Sequence, residues 1–208
     1  MTPPLPISFC WSKFGDEAGE ESDFIIARKE SERVKNDGVF LWGIGTSIGP
    51  SLRELLRVQS NPRVLFTPML SKSSPKDMSP MAIAVWRSAQ TMDGDPYLLP
   101  RHSVVTSRAT PGSPPERHYA LVCRSEFSLT ERAEELWIDN ADLRNLRSDA
   151  LVGSSQVTSV VRHLSRGQRG QRKYTVAFSA TLESPYLITL KDCILEMTKN
   201  VDEEVSSA

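Results

Sequence analysis

The sequence predicts an α+β protein built on a curved sheet or small β-barrel with a few short flanking helices. Three observations lead there. Six or more short β-like runs recur along the chain, separated by turns rich in Gly, Pro, Asp and Ser. Helical segments are few and short, and strands and helices do not alternate at length, which sets the chain apart from a doubly wound parallel sheet. A length of 208 residues, 39% hydrophobic and 25% charged, suits one core with elaborations.

The elements follow in order. Ile7–Phe14 has Ile7, Phe9 and Trp11 at period two and reads as a strand. After the acidic DEAGEESD and a short apolar run at Asp23–Ala27, helix formers in ARKESERVKNDG run to a stop at Gly38. Val39–Ile44 reads as a buried strand, and Pro50 opens a helix with Leu52, Leu55 and Leu56 on one face, ending before Asn61-Pro62. Val64–Thr67, Met81–Arg87, Ser103–Ser107 and His118–Arg124 read as strands. Ser128 with Glu131 suggests a capping box for a short helix. Leu151–Leu164 is open between helix and strand, because GSSQ suits a cap while VTSVV is β-branched. Tyr174–Leu182 and Tyr186–Leu190 read as two closing strands.

Charge and cysteine usage narrow the class. No apolar run approaches the roughly 18–20 residues of a membrane span, and the N-terminus shows no signal-peptide pattern. Cys10, Cys123 and Cys193 form no CxxC pair, so the expectation is reduced thiols, a cytoplasmic protein and no metal or cofactor. The net charge of -1 hides a sorted distribution. RHLSRGQRGQRK (Arg162–Lys173) is basic and contains no acid.

The stretch FLWGIGTSIGPSLRELL places glycines between a strand and a helix. Three readings compete. A dinucleotide site would use backbone N–H groups at the helix start, but Gly43-x-Gly45-x-x-x-Gly49 is not GxGxxG, and the next strand offers no acid for a ribose. A plain tight turn would use the glycines for positive φ. The third reading is a likeness. The order Trp42-Gly43-Ile44-x-Thr46, a helix, Val64-Leu65-Phe66, then Ile83-Ala84-Val85 is similar to the EVE domain of the PUA-like superfamily. Phe9-Cys10-Trp11-Ser12-Lys13 is a loose counterpart of that family's first strand, and the likeness covers roughly residues 7 to 125. Gly45 and Thr46 stand where the family turn has Arg and Asn, so its hydrogen bonds do not carry over.

The resemblance implies a barrel core over residues 1–125, with 126–208 as a C-terminal elaboration of the same compact domain. It implies that one extruded base is held in an aromatic-lined pocket. EVE, SRA and YTH domains are relatives that read modified bases in this way. The expectation is a non-catalytic reader of 5-methylcytosine in DNA. RNA is the second substrate, and an enzyme or small-nucleotide binder using the Gly43–Gly49 turn is the alternative.

Such a reader needs rings and short polar groups. Base flipping costs a few kcal/mol, and stacking returns roughly 1–3 kcal/mol per base. Trp42 is the first candidate ring, Trp11 the second and Trp86 the third, with Tyr97 and Tyr119 also available. Ser12, Thr46 and Ser47 can meet a base edge, and Gly43 and Gly45 allow close approach. For the phosphates, Arg162, Arg166, Arg169, Arg172 and Lys173 form a glycine-containing arm, in which Gln168 and Gln171 can also reach bases. Arg101, His102 and Arg108 are weaker candidates. His102, His118 and His163 lack metal-ligand spacing, and MDGDP around Asp93 and Asp95 is turn chemistry first.

Overall fold

The computed structural model of the chain describes residues 8–15, 21–68, 82–109, 118–131, 134–139, 143–152, 158–163 and 171–197. Their order is β1 (Ser8–Phe14), α1 (Ser22–Lys35), β2 (Val39–Ile44), α2 (Gly49–Val58), β3 (Arg63–Pro68), β4 (Ala82–Thr91), β5 (Pro96–Tyr97), β6 (Thr106–Ala109), β7 (His118–Arg124), β8 (Glu134–Asp139), β9 (Leu143–Asn145), β10 (Thr158–His163), β11 (Gln171–Val176) and β12 (Phe178–Met197). The class is α+β. Ten strands form one sheet with the path β2-β7-β12-β3-β1-β10-β9, and β4 pairs β12, β5 and β6. β8 and β11 form a separate pair. Among the described residues no helix is long and apolar enough to cross a membrane.

The sheet is strongly curved. Three strands separate β2 from β1 along the path, which in a flat sheet would hold them roughly 19 Å apart. Yet Trp42 Nε1–H on β2 donates to Ser12 Oγ on β1 at 3.0 Å. The sheet therefore coils round the main core, in which Phe40, Trp42, Phe66, Leu121 and Phe178 meet Leu52 and Leu55 of α2 and Ile25 of α1.

Local sequence explains the helices. α1 ends where Gly38 takes φ +90° and its N–H bonds to Arg33 O at 2.7 Å. α2 starts at Gly49-Pro50, where a missing N–H costs nothing, and buries Leu52 and Leu55. α1 also carries a buried ion pair. Lys29 Nζ lies 2.8 Å from Glu32 Oε1 and donates to Val104 O at 2.7 Å, while Glu32 accepts from the N–H of Val104 at 3.0 Å. This pair pins the 98–105 loop to the helix. Burial pushes the Lys29 amine below its ordinary value, against the pull of Glu32.

Several expectations are corrected. The Asp23–Ala27 run is the start of α1 rather than a separate piece. The strand expected at Ser103–Ser107 runs from Thr106 to Ala109. No helix follows Ser128 among the described residues. There Glu30 accepts the Leu129 N–H, and Ser128 Oγ accepts the Thr130 N–H in a local turn. Leu136-Trp137-Ile138 then lie in strand β8. The two closing strands are instead β11 and a 20-residue β12 whose pairing with β7 shifts between Leu182 and Leu187. β12 lies between β7 and β3, and β10 pairs β1, so strands from after residue 125 share one sheet with those before it.

β12 also changes face. Asp192 takes φ +54°, and the inward residues pass from Ile188 and Leu190 before it to Cys193 and Leu195 after it. Opposite, on β4, the inward set passes from Ala89 to Trp86 and Ala84. Ser88 Oγ donates to the Asp192 carboxylate across this kink.

Candidate nucleic-acid interface

The three nominated tryptophans lie in three different hydrophobic clusters. Trp42 belongs to the main core, with ring centroids 4.5 Å from Phe66, 5.5 Å from Phe14 and 5.8 Å from Phe178. It is 6% exposed, and its N–H is satisfied by Ser12, whose hydroxyl also pairs with Thr158 Oγ1 at 2.9 Å. Three phenylalanine rings surround Trp42 and its one polar atom is already bonded, so Trp42 and Ser12 hold the core together in this conformation and are not the open pocket wall that the sequence suggests.

Trp11 sits next to Ser12 on β1 and therefore points to the opposite face. There it packs with Phe9, Leu65 and Val161, donates to Thr67 Oγ1 at 2.9 Å, and lies under Lys13 Nζ at 4.6 Å from its centroid. Burial lowers the Lys13 amine below its ordinary value. Trp86 packs in a third cluster with Leu41, Val105, Ala120 and Leu190. A cage combining these indoles does not form.

The glycine turn behaves differently from the tight-turn expectation. Among the described glycines only Gly38 and Gly94 have positive φ, so Gly43, Gly45 and Gly49 are not there for left-handed backbone. Gly43 serves close approach, since a Cβ would meet Val105 Cγ1 at 2.8 Å and His118 Nε2 at 3.2 Å. Gly45 faces open space, and Thr46 and Ser47 are exposed. Ser47 Oγ accepts the Gly49 N–H at 3.3 Å. Arg53 beside the turn is held by Asp93 at 2.8 Å.

The third cluster carries polar groups that the packing leaves unanswered. Trp86 stacks on His118 at 5.7 Å and 22°. Among the described residues, Trp86 Nε1 and Ser107 Oγ are buried without a hydrogen-bond partner. Desolvation pushes the His118 imidazole down to about 4, so it is neutral at pH 7.

The basic segment starts from a structured root. Arg162 on β10 is the register partner of Arg144 on β9. Both turn to Asp149: Arg162 Nη2 lies 2.5 Å from its Oδ1, and Arg144 Nη1 donates to its carbonyl at 2.7 Å and lies 3.6 Å from Oδ2. Arg147 is exposed in the intervening turn. The sequence reading missed Arg144, Arg147 and Asp149, because only the β9–β10 register joins residues 18 positions apart. Arg166, Gln168 and Arg169 lie outside the described residues. Gln171, Arg172 and Lys173 belong to β11, paired with β8, so that end of the segment is strand and not free arm. Arg162 pairs with Ser8 and Thr158 with Ser12, which sets the root roughly 13 Å along β1 from the Trp42 corner. His102 is exposed, and its N–H bonds to Asn36 Oδ1 at 3.2 Å.

Cys10 and Cys123 are fully buried; desolvation raises the Cys10 thiol to about 12 and the Cys123 thiol well above its ordinary value. Among the described residues no group of three or more His, Cys, Asp or Glu is placed to hold a metal ion. No family model, curated protein or solved structure matches this chain.

Proposed function

We propose that this chain is a non-catalytic, PUA-like nucleic-acid-binding protein of the EVE type, which grips a strand by its phosphates and reads a modified base. 5-Methylcytosine in DNA is the favoured substrate, with modified RNA second. The carrying observation is the arginine cluster at the root of the basic segment. Arg144 and Arg162 are like charges directly opposite one another, an arrangement that destabilises a strand pair unless an anion intervenes. One carboxylate, Asp149, serves both, and Arg147 is exposed in the turn that carries Asp149. A phosphate backbone would complete that neutralisation. The strong curvature of the sheet is in keeping with a PUA-like barrel.

The test is fluorescence anisotropy with a labelled duplex over a salt series. Affinity should fall steeply with salt, and Arg144→Ala and Arg162→Ala should each lower the log–log slope by about 1. Salt-independent binding, or slopes unchanged in both variants, would refute the phosphate assignment.

A further inference from the structure

Trp86 Nε1 and Ser107 Oγ lie on one face. Ser107 is the register partner of Ala84, and Trp86 stands two residues further along β4. Trp86 is 6% and Ser107 8% exposed, and neither polar atom finds a partner among the described residues. An unmatched buried donor destabilises a protein, so two on one face require a reason. His118 stacks on Trp86, and Gly43 leaves the room that its imidazole edge and Val105 occupy. Lys29 and Glu32 hold the neighbouring Val104 backbone through its carbonyl and its N–H.

We propose that Trp86, Ser107 and His118 form the receiving face for a nucleobase, a flat heteroaromatic ring bearing hydrogen-bond acceptors, either free as a nucleoside or extruded from a strand. An indole N–H only donates, so it selects an acceptor such as cytosine O2 or N3. A serine hydroxyl donates or accepts, and a neutral imidazole can accept from an exocyclic amine. The extruded-base form rests on the nucleic-acid reading above; the free-nucleoside form does not.

Trp86→Phe and Ser107→Ala test this: each removes one polar group, Ser107→Ala with little change of shape and Trp86→Phe with a small cavity left by the smaller ring. Free Ser107→Ala should melt at or above the wild-type temperature, since an unmatched polar group has been removed. Affinity for 5-methyl-2′-deoxycytidine, read by calorimetry, should fall about tenfold in Trp86→Phe, the loss of one buried hydrogen bond. The same loss on a methylated duplex assigns the face to an extruded base, and loss confined to the nucleoside assigns it to a free ligand. A Ser107→Ala melt several degrees lower, with nucleoside and duplex affinity unchanged in both variants, would overturn the proposal, as these polar groups would then be serving the fold. Nucleoside binding without any duplex binding would defeat the nucleic-acid reading and leave this face standing. Salt-dependent duplex binding with no nucleoside binding, and no change in Trp86→Phe, would do the reverse.

Discussion

Trp42 and Ser12 are joined by a 3.0 Å hydrogen bond that spans the inside of the curved sheet, from β2 to β1. Thr158 extends the link to β10 at 2.9 Å. The corner that the sequence suggests as a binding mouth is therefore a clasp.

Trp42→Phe should lower stability by about 1–3 kcal/mol, for the lost hydrogen bond and the cavity left by the smaller ring, and Trp42→Ala by about 3–5 kcal/mol, for the vacated aromatic core. Urea melts measure both. Nucleic-acid affinity of folded Trp42→Phe should match wild type. Wild-type stability combined with lost preference for a modified base would return Trp42 to the binding site.

The Lys29–Glu32 pair should behave as a unit. Either Lys29→Met or Glu32→Gln alone should cost about 3–5 kcal/mol, because a buried group loses its partner and the Val104 backbone loses one of the hydrogen bonds that hold it, Arg28 still donating to Val104 O at 2.8 Å. The double variant should cost much less than the two singles combined. Strict additivity in a double-mutant cycle would show that the two residues act separately.

Acid should destabilise the protein in two windows. His118 has a folded value of about 4 against 6.5. Below 6.5 the unfolded chain takes up a proton that the folded chain refuses, so stability falls as pH drops from 6.5 to about 4, by up to about 3 kcal/mol. Glu30, held down at about 2 chiefly by its hydrogen bonds from Arg33, adds stability above 4.5 that is lost as pH falls toward 2. Thermal melts between pH 7 and 4.5 should show the first window in wild type and a shallower one in His118→Asn. Identical profiles would exclude His118 as its source.

Asp149→Asn should tighten binding to any duplex several-fold, because it frees Arg144 and Arg162 from a competing carboxylate. Asparagine tolerates the φ of +55° at this position. The gain should shrink at high salt. Unchanged anisotropy curves at low salt would show that these guanidiniums do not meet the phosphates.

Much of the fold was legible where punctuation and periodicity agree. Val39–Ile44 matches β2 from end to end, and Pro50, Leu52 and Leu55 announce α2. β12 was not legible as one strand, because Glu183-Ser184-Pro185 looks like a break, and there the ladders are in fact interrupted: pairing with β3 ends at Thr181, and pairing with β7 stops at Leu182 and resumes in a shifted register at Leu187. The site was less legible. Period-two alternation already separates Trp11 from Ser12, a signal that the shared-pocket reading set aside. Trp86 and Ser107 meet only through the β4–β6 register, and Arg144 meets Arg162 only through β9–β10. Propensity carries no information about such distant pairings.

The most direct measurement is the ratio of affinities of the wild-type chain for one duplex with and without 5-methylcytosine, at a single fixed salt concentration. A reader should prefer the methylated duplex at least tenfold, the lower bound that burying one methyl group provides. Equal affinities would contradict the account.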